Sequence, residues 1–191
     1  EMFFIGLLYA SVAVFLALWI FKEYSSLVMV FLTVTAAVPI MYNTMRLEEQ
    51  SLLKSKFSGL IFKQHTRALS FFVWMFIGFV IAYTLWYVFL PSNLVEILFS
   101  IQIETIAAIN AQLTGNVIDL LATLLKIVSN NLKVLLFCIF FSFFYGAGAI
   151  FILTWNASVI GAAMGNFIRT NLAFSAEVLG FTKIWAYLHV F

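Results

Sequence analysis

The sequence predicts an all-α fold: a polytopic transmembrane helical bundle with a broken or re-entrant segment and extracytoplasmic amphipathic helices. Three observations lead there. Hydrophobic residues make up 64% of the 191 positions and charged residues only 9%, where a soluble domain carries about 25% charged. A small domain keeps much of its surface in contact with solvent, so a chain this apolar needs lipid as that solvent. The apolar residues also fall into charge-free runs of about 20, the length that spans a bilayer as a helix.

Met2 to Phe21 supplies the first span. Lys22, Glu23 and Tyr24 interrupt it so briefly that the second span, 25–42 with Pro39 near its end, must return as a tight antiparallel hairpin. Residues 43–67 are polar and read as a loop, with Arg46, Lys54, Lys56, Lys63 and Arg67 against Glu48 and Glu49. Leu69 to Phe89 is the third span, stopped by Pro91. Basic residues accumulate in cytoplasmic loops, so 43–67 and the N-terminus are expected in the cytoplasm, and 91–129 outside. Trp19, Tyr24, Trp86 and Tyr87 then belong at the outer interface, Tyr42 and Trp155 at the inner one, as interfacial aromatics prefer.

The outer region 91–129 reads as two amphipathic helices, on the outer surface or packed over the bundle. Asn93 and Glu96 have capping-box spacing, and Leu94, Ile97, Leu98 and Ile101 recur with helical period. Gly115-Asn116 reads as a turn. Asp119, Thr123, Lys126, Asn130 and Lys133 then form one polar stripe, which is a solvated face in its plainest reading.

From Val134 to Ile168 no charge occurs for 35 residues. As one helix this run would reach about 52 Å, far more than the ~30 Å hydrocarbon core, so a break is expected. Gly146-Ala147-Gly148 can bend the chain, and Trp155-Asn156 is the better stop. That reading gives a fourth span at 134–155, a half-helix or re-entrant piece at 157–168, and a partial last helix at 172–191. Glu1 at the start and an apolar stretch at Phe191 suggest further native residues beyond both ends.

Small residues at Ser142, Gly146, Ala157, Gly161 and Gly165 stand at helix-packing intervals. Such residues let backbones approach closely in lipid, within one chain or between two copies. The polar residues in or near this apolar run are Asn130, Asn131, Asn156, Asn166, Arg169, Asn171, Glu177 and His189. Burial of such groups requires partners; Arg169 and Glu177 are expected to pair across a turn, and Asn side chains to cap broken helices. They serve either as structural glue or as a substrate pathway.

Catalytic patterns are missing from the sequence. The two histidines, His65 and His189, stand far apart, there is one cysteine, and neither HExxH, G-x-S-x-G nor a P-loop occurs. No cofactor, metal or catalytic residue is therefore expected, and a net charge of +2 gives no reason to expect nucleic acid.

The run Asn130-Asn131-Leu132-Lys133-Val134, followed by Gly146-Ala147-Gly148, Thr154-Trp155-Asn156 and the Gly161/Gly165 pair, resembles the stage II sporulation protein M family of membrane proteins. Its archaeal-type members look most similar, with an opening hairpin, a basic inner loop and an outer amphipathic region. His189 lies where that family's His-Gly-x-x-Glu element is expected, with Val190 in place of the glycine, while Ala157 replaces the glycine usual after the asparagine. The resemblance implies a scaffold or assembly component of a membrane complex, with the bilayer and a second copy or another membrane protein as partners. In bacterial members the complex remodels the cell wall at the division septum. The competing expectations are a transporter or channel with its pathway near 156–177, and a lipid-acting enzyme using His189 with a glutamate beyond Phe191.

Overall fold

The computed structural model describes residues 1–54, 58–113 and 147–178, together with 124–125, 128–129, 132–133, 135–136 and 139. The elements among these residues are helices: α1 (Met2–Ile20), a 3₁₀ turn (Lys22–Tyr24), α2 (Ser25–Lys54), α3 (Ser58–Phe89), α4 (Ser92–Leu98), α5 (Ser100–Leu113) and α6 (Ala147–Val178). Four of them contain stretches long and apolar enough to cross a membrane: Met2–Ile20, Lys22–Leu47, Leu69–Phe89 and Gly148–Leu172. By length and composition this is a multi-pass helical membrane protein.

α3 is the central helix, with α1 on one side, α6 on the other, and α2 packed across all three. The turn between α1 and α2 is as tight as the sequence implies: the Tyr24 N–H bonds the Phe21 carbonyl at 2.8 Å. The small residues of α1, namely Gly6, Ala10, Ala13 and Ala17, face inward. Its large residues Phe4, Leu8, Val12, Phe15 and Trp19 are exposed along the opposite face.

Two glycine seams set the helix spacing. A Cβ on Gly6 would strike the Met75 carbonyl oxygen, and one on Gly78 would strike the Phe3 carbonyl oxygen and lie 2.9 Å from the Leu7 nitrogen. The α1 and α3 backbones therefore touch, the arrangement small residues allow in lipid. On the other side of α3, Gly161 lies against Tyr83 and Thr84, and Gly165 against Tyr87. These contacts advance in the same direction along both chains, so α6 runs parallel to α3. The Gly161/Gly165 pair thus packs within the chain and is not free to join two copies. Ala157 is fully buried on the same helix; Ser142 and Gly146 lie outside the described residues.

Several expectations are corrected. The described residues of 43–67 are helical: α2 continues to Lys54 and α3 is described from Ser58. Polarity ends a membrane span but not a helix, and Met45, Arg46, Leu47, Glu48, Glu49 and Gln50 are all strong helix formers. Pro39 does not end α2 either; it removes one backbone N–H, a loss that membrane helices tolerate when neighbours re-satisfy the freed carbonyl.

The largest correction concerns the break. α6 runs without interruption from Ala147 through Trp155 and Asn156 to Val178, so 157–168 is no half-helix and 172–178 continues the same helix. The Asn156 side chain does not stop the helix because its Nδ2 donates to the Ile152 carbonyl one turn back, at 2.9 Å. Trp155 lies within the helix and is half-buried. Within the described residues α6 is continuous from Ala147 to Val178, with Arg169 toward its far end.

Among the described residues the bent element is the α4–α5 pair. α4 and α5 meet at 77° across Phe99, a broken span or re-entrant shape. Phe99 leaves helical geometry (φ −111°, ψ 17°) and is fully buried, with its ring 5.1 Å from that of Tyr87 and 6.5 Å from that of Tyr83. The bend turns this aromatic plug into α3 and directs Val95, Leu98 and Gln102 into the core. This part of the outer region is therefore packed on the bundle. Pro91 occupies the α4 N-cap and no side chain caps the helix, so Asn93 and Glu96 form no capping box. The polar stripe from Asp119 to Lys133 falls largely outside the described residues.

Candidate functional site

The polar groups buried in the bundle fall at the junctions of helices. Ser26 on α2, Gln102 on α5 and Ser158 on α6 form one connected set. The Ser26 hydroxyl donates to Gln102 Oε1 at 2.7 Å, and Gln102 Nε2 donates to Ser158 Oγ at 3.2 Å and to the Ser26 carbonyl at 3.4 Å. Ser158 Oγ passes its own proton to the Trp155 carbonyl at 2.8 Å. Ser26 Oγ also accepts the Ile101 N–H at 3.3 Å, serving from another helix as a cap for the start of α5. A primary amide has two donors and a carbonyl acceptor, and all three of these groups on Gln102 are engaged. In an apolar interior such closure is required, because an unpaired amide costs several kcal/mol.

A second link joins α2 to α3. Thr33 Oγ1 lies 2.9 Å from Tyr83 Oη and 2.7 Å from the Met29 carbonyl. If Thr33 donates to Met29, Tyr83 donates to Thr33 and every proton has an acceptor. Tyr83→Phe is expected to lower stability by about 1 kcal/mol. A double-mutant cycle with Thr33→Val, read by reversible unfolding in mixed micelles, should return a coupling near 0.6 kcal/mol, the average for membrane hydrogen bonds. Two buried hydroxyls, on Ser25 and Thr154, have no hydrogen-bond partner. Thr154 stands one turn before Ser158 on α6, and Ser25 adjoins Ser26.

Arg169 closes the other end of α6. Its Nη1 donates to the Tyr87 carbonyl at 3.2 Å and its Nη2 to Ser92 Oγ at 2.9 Å, tying α6 to the joint between α3 and α4. The turn expected to bring Arg169 and Glu177 together is replaced by continuous helix. Asn156 and Asn166 are exposed and belong to no cluster; Asn166 lends its backbone carbonyl to the Thr170 hydroxyl at 2.9 Å. Asn130, Asn131 and His189 lie outside the described residues, as does the Glu177 side chain. The set expected around 156–177 is thus not brought together, whereas Ser26, Gln102 and Ser158 are. The sequence does carry a signal for Gln102: an amide flanked by Ile101 and Ile103 in the first turn of α5 calls for a buried partner.

The cluster is neutral throughout and holds hydroxyls, one amide and backbone carbonyls. It can bind helices together or present oxygen atoms to a small polar guest, but it carries no acid or base. Among the described residues no three His, Cys, Asp or Glu side chains come together in a metal-binding group.

The fold and this cluster define a class: a polytopic α-helical membrane protein whose helices are joined by side-chain hydrogen bonds. The chain matches no known protein family, no curated protein and no solved structure.

Proposed function

We propose that the protein is a membrane scaffold, an assembly component similar in role to the stage II sporulation protein M family. The observation that carries this reading is that buried polar side chains join helix to helix, Thr33 to Tyr83 and Ser26 through Gln102 to Ser158, with Arg169 adding a more exposed link to Ser92. Together with the glycine seams they make a rigid bundle. The outward stripe of α1 from Phe4 to Trp19 then serves as the surface that meets lipid and a second copy or another membrane protein. The basic residues of 43–67 favour a cytoplasmic side for the facing ends of α2 and α3 and for the N-terminus, which would leave the α4–α5 bend on the opposite side. Single cysteines at Leu8, Val12, Phe15 and Trp19, in a Cys138→Ser background, test this in native membranes. The expected result is a cross-linked adduct of defined size at these positions. Absence of any adduct at all four would overturn the scaffold reading.

A second reading, transport of a small polar solute, is favoured by the bent α4–α5 pair and the amide it carries inward, since discontinuous helices build transport sites. Solute uptake into proteoliposomes that is lost in Gln102→Leu would support it, and vesicles that stay tight with the native chain would remove it.

A further inference from the structure

The polar end of α2 carries a feature that neither reading uses. Asn43, Arg46, Leu47 and Gln50 line an open groove of about 440 Å³. Their spacing puts all four on one face of α2. Asn43, Arg46 and Gln50 are exposed, and no hydrogen bond or ion pair engages them among the described residues. One guanidinium thus stands between two carboxamides with all its donors available, five in a planar fork, a geometry that suits a phosphate.

Depth decides which phosphate. α2 begins at Ser25, just inside the apolar stretch that opens at Lys22. At 1.5 Å per residue, about 20 residues cross a 30 Å hydrocarbon core, which places the boundary near Thr44. Arg46 and Gln50 then lie in the headgroup layer, one turn apart, with Asn43 at its edge. Tyr42, 52% exposed, flanks them on the side of the acyl chains, where interfacial aromatics belong. The surrounding segment is basic, with five Lys or Arg against two Glu between 43 and 67.

We infer that this groove is a binding site for the phosphodiester headgroup of an anionic glycerophospholipid, with Arg46 holding the phosphate and Asn43 and Gln50 donating to its oxygens. Charge complementarity selects an anionic lipid over a zwitterionic one, and basic residues just beyond a span recognise such headgroups. The site does not depend on the scaffold reading, nor on which way the chain is oriented.

The test uses the full chain in nanodiscs of mixed phosphatidylglycerol and phosphatidylcholine, released into native mass spectrometry to count retained lipids. The native chain is expected to retain phosphatidylglycerol preferentially. Arg46→Gln should lower that retention about fivefold, the attraction of one basic residue to an anionic surface, while Lys22→Gln at the opposite end leaves it unchanged. Arg46→Lys should restore only part of the loss, because the fork is gone. Should Arg46→Gln misfold, the exposed pair Asn43→Ala with Gln50→Ala gives the same readout with a smaller drop. Equal retention in Arg46→Gln and Lys22→Gln would overturn the site. Displacement of the lipid by inorganic phosphate would show a free-phosphate site and overturn the lipid assignment.

Discussion

Gly78→Leu is expected to be the most damaging single substitution in the bundle, lowering stability by more than about 3 kcal/mol. The reason is what its Cβ meets. At Gly78 the obstacles are the Phe3 carbonyl, the Leu7 nitrogen and the Gly6 carbonyl carbon, all main chain. No rotamer change clears them, so α1 must separate from α3 along the whole seam. Gly165→Leu should be milder, because its obstacles belong to the Tyr87 side chain, at 2.5 to 2.9 Å. Even there the Tyr87 ring is held by Phe99, so the bend between α4 and α5 should loosen with it. Denaturation in mixed micelles, followed by tryptophan fluorescence, ranks the two. A Gly78→Leu protein as stable as the native one would mean that α1 and α3 do not touch along this seam.

The second large effect is expected at Gln102. Gln102→Ala removes the bridge among α2, α5 and α6 and leaves the freed hydroxyls of Ser26 and Ser158 in an apolar space. The lost hydrogen bonds and the cavity together should lower stability by about 2–4 kcal/mol. Gln102→Met, which keeps the volume, should recover about half. The same variants should speed hydrogen exchange at Ile101 and Ile103, because Ser26 caps the start of α5 only while Gln102 holds it in place. If Ala and Met behave alike, the hydrogen bonds dominate the loss and packing contributes little.

How much of this was legible in the residues depends on the kind of signal. The apolar stretches of α1, of the first part of α2 and of the second part of α3 were readable because charge is costly in lipid, and Lys22, Glu23 and Pro91 mark limits in one dimension. The helical continuation through Arg46 and Gln50 was not, because hydropathy reports solvent and says nothing about whether a polar stretch stays helical. The position of the break was misread for a related reason. A charge-free run of 35 residues shows that one helix cannot use it all, but not where the boundary falls; Asn156 looked like a stop and instead bonds its own helix. The glycine pair at Gly161 and Gly165 was recognisable as a packing element, yet its partner, α3, is a long-range property of the fold. Gln102 is hard to read from sequence because hydropathy does not tell a buried amide from an exposed one in an Ile-rich turn, while the charged and asparagine-rich stretch after Asn156 carries the stronger polar signal.

The parallel course of α3 and α6 has a consequence for biogenesis. Two parallel neighbours cannot enter the membrane as a hairpin. α6 begins about 60 residues after α3 ends, and at about 5–20 residues per second of synthesis that is a delay of several seconds. Through that interval the face of α3 formed by Val80, Tyr83, Thr84 and Tyr87 waits in the bilayer without the glycines that later cover it. α1 and α2 are already in place by then, so Tyr83 can hold Thr33 from the start. The docking of Gly161 and Gly165 onto α3 therefore follows the entry of α1, α2 and α3. A nascent chain arrested before Ala147 should expose that face to whatever insertion factor attends it.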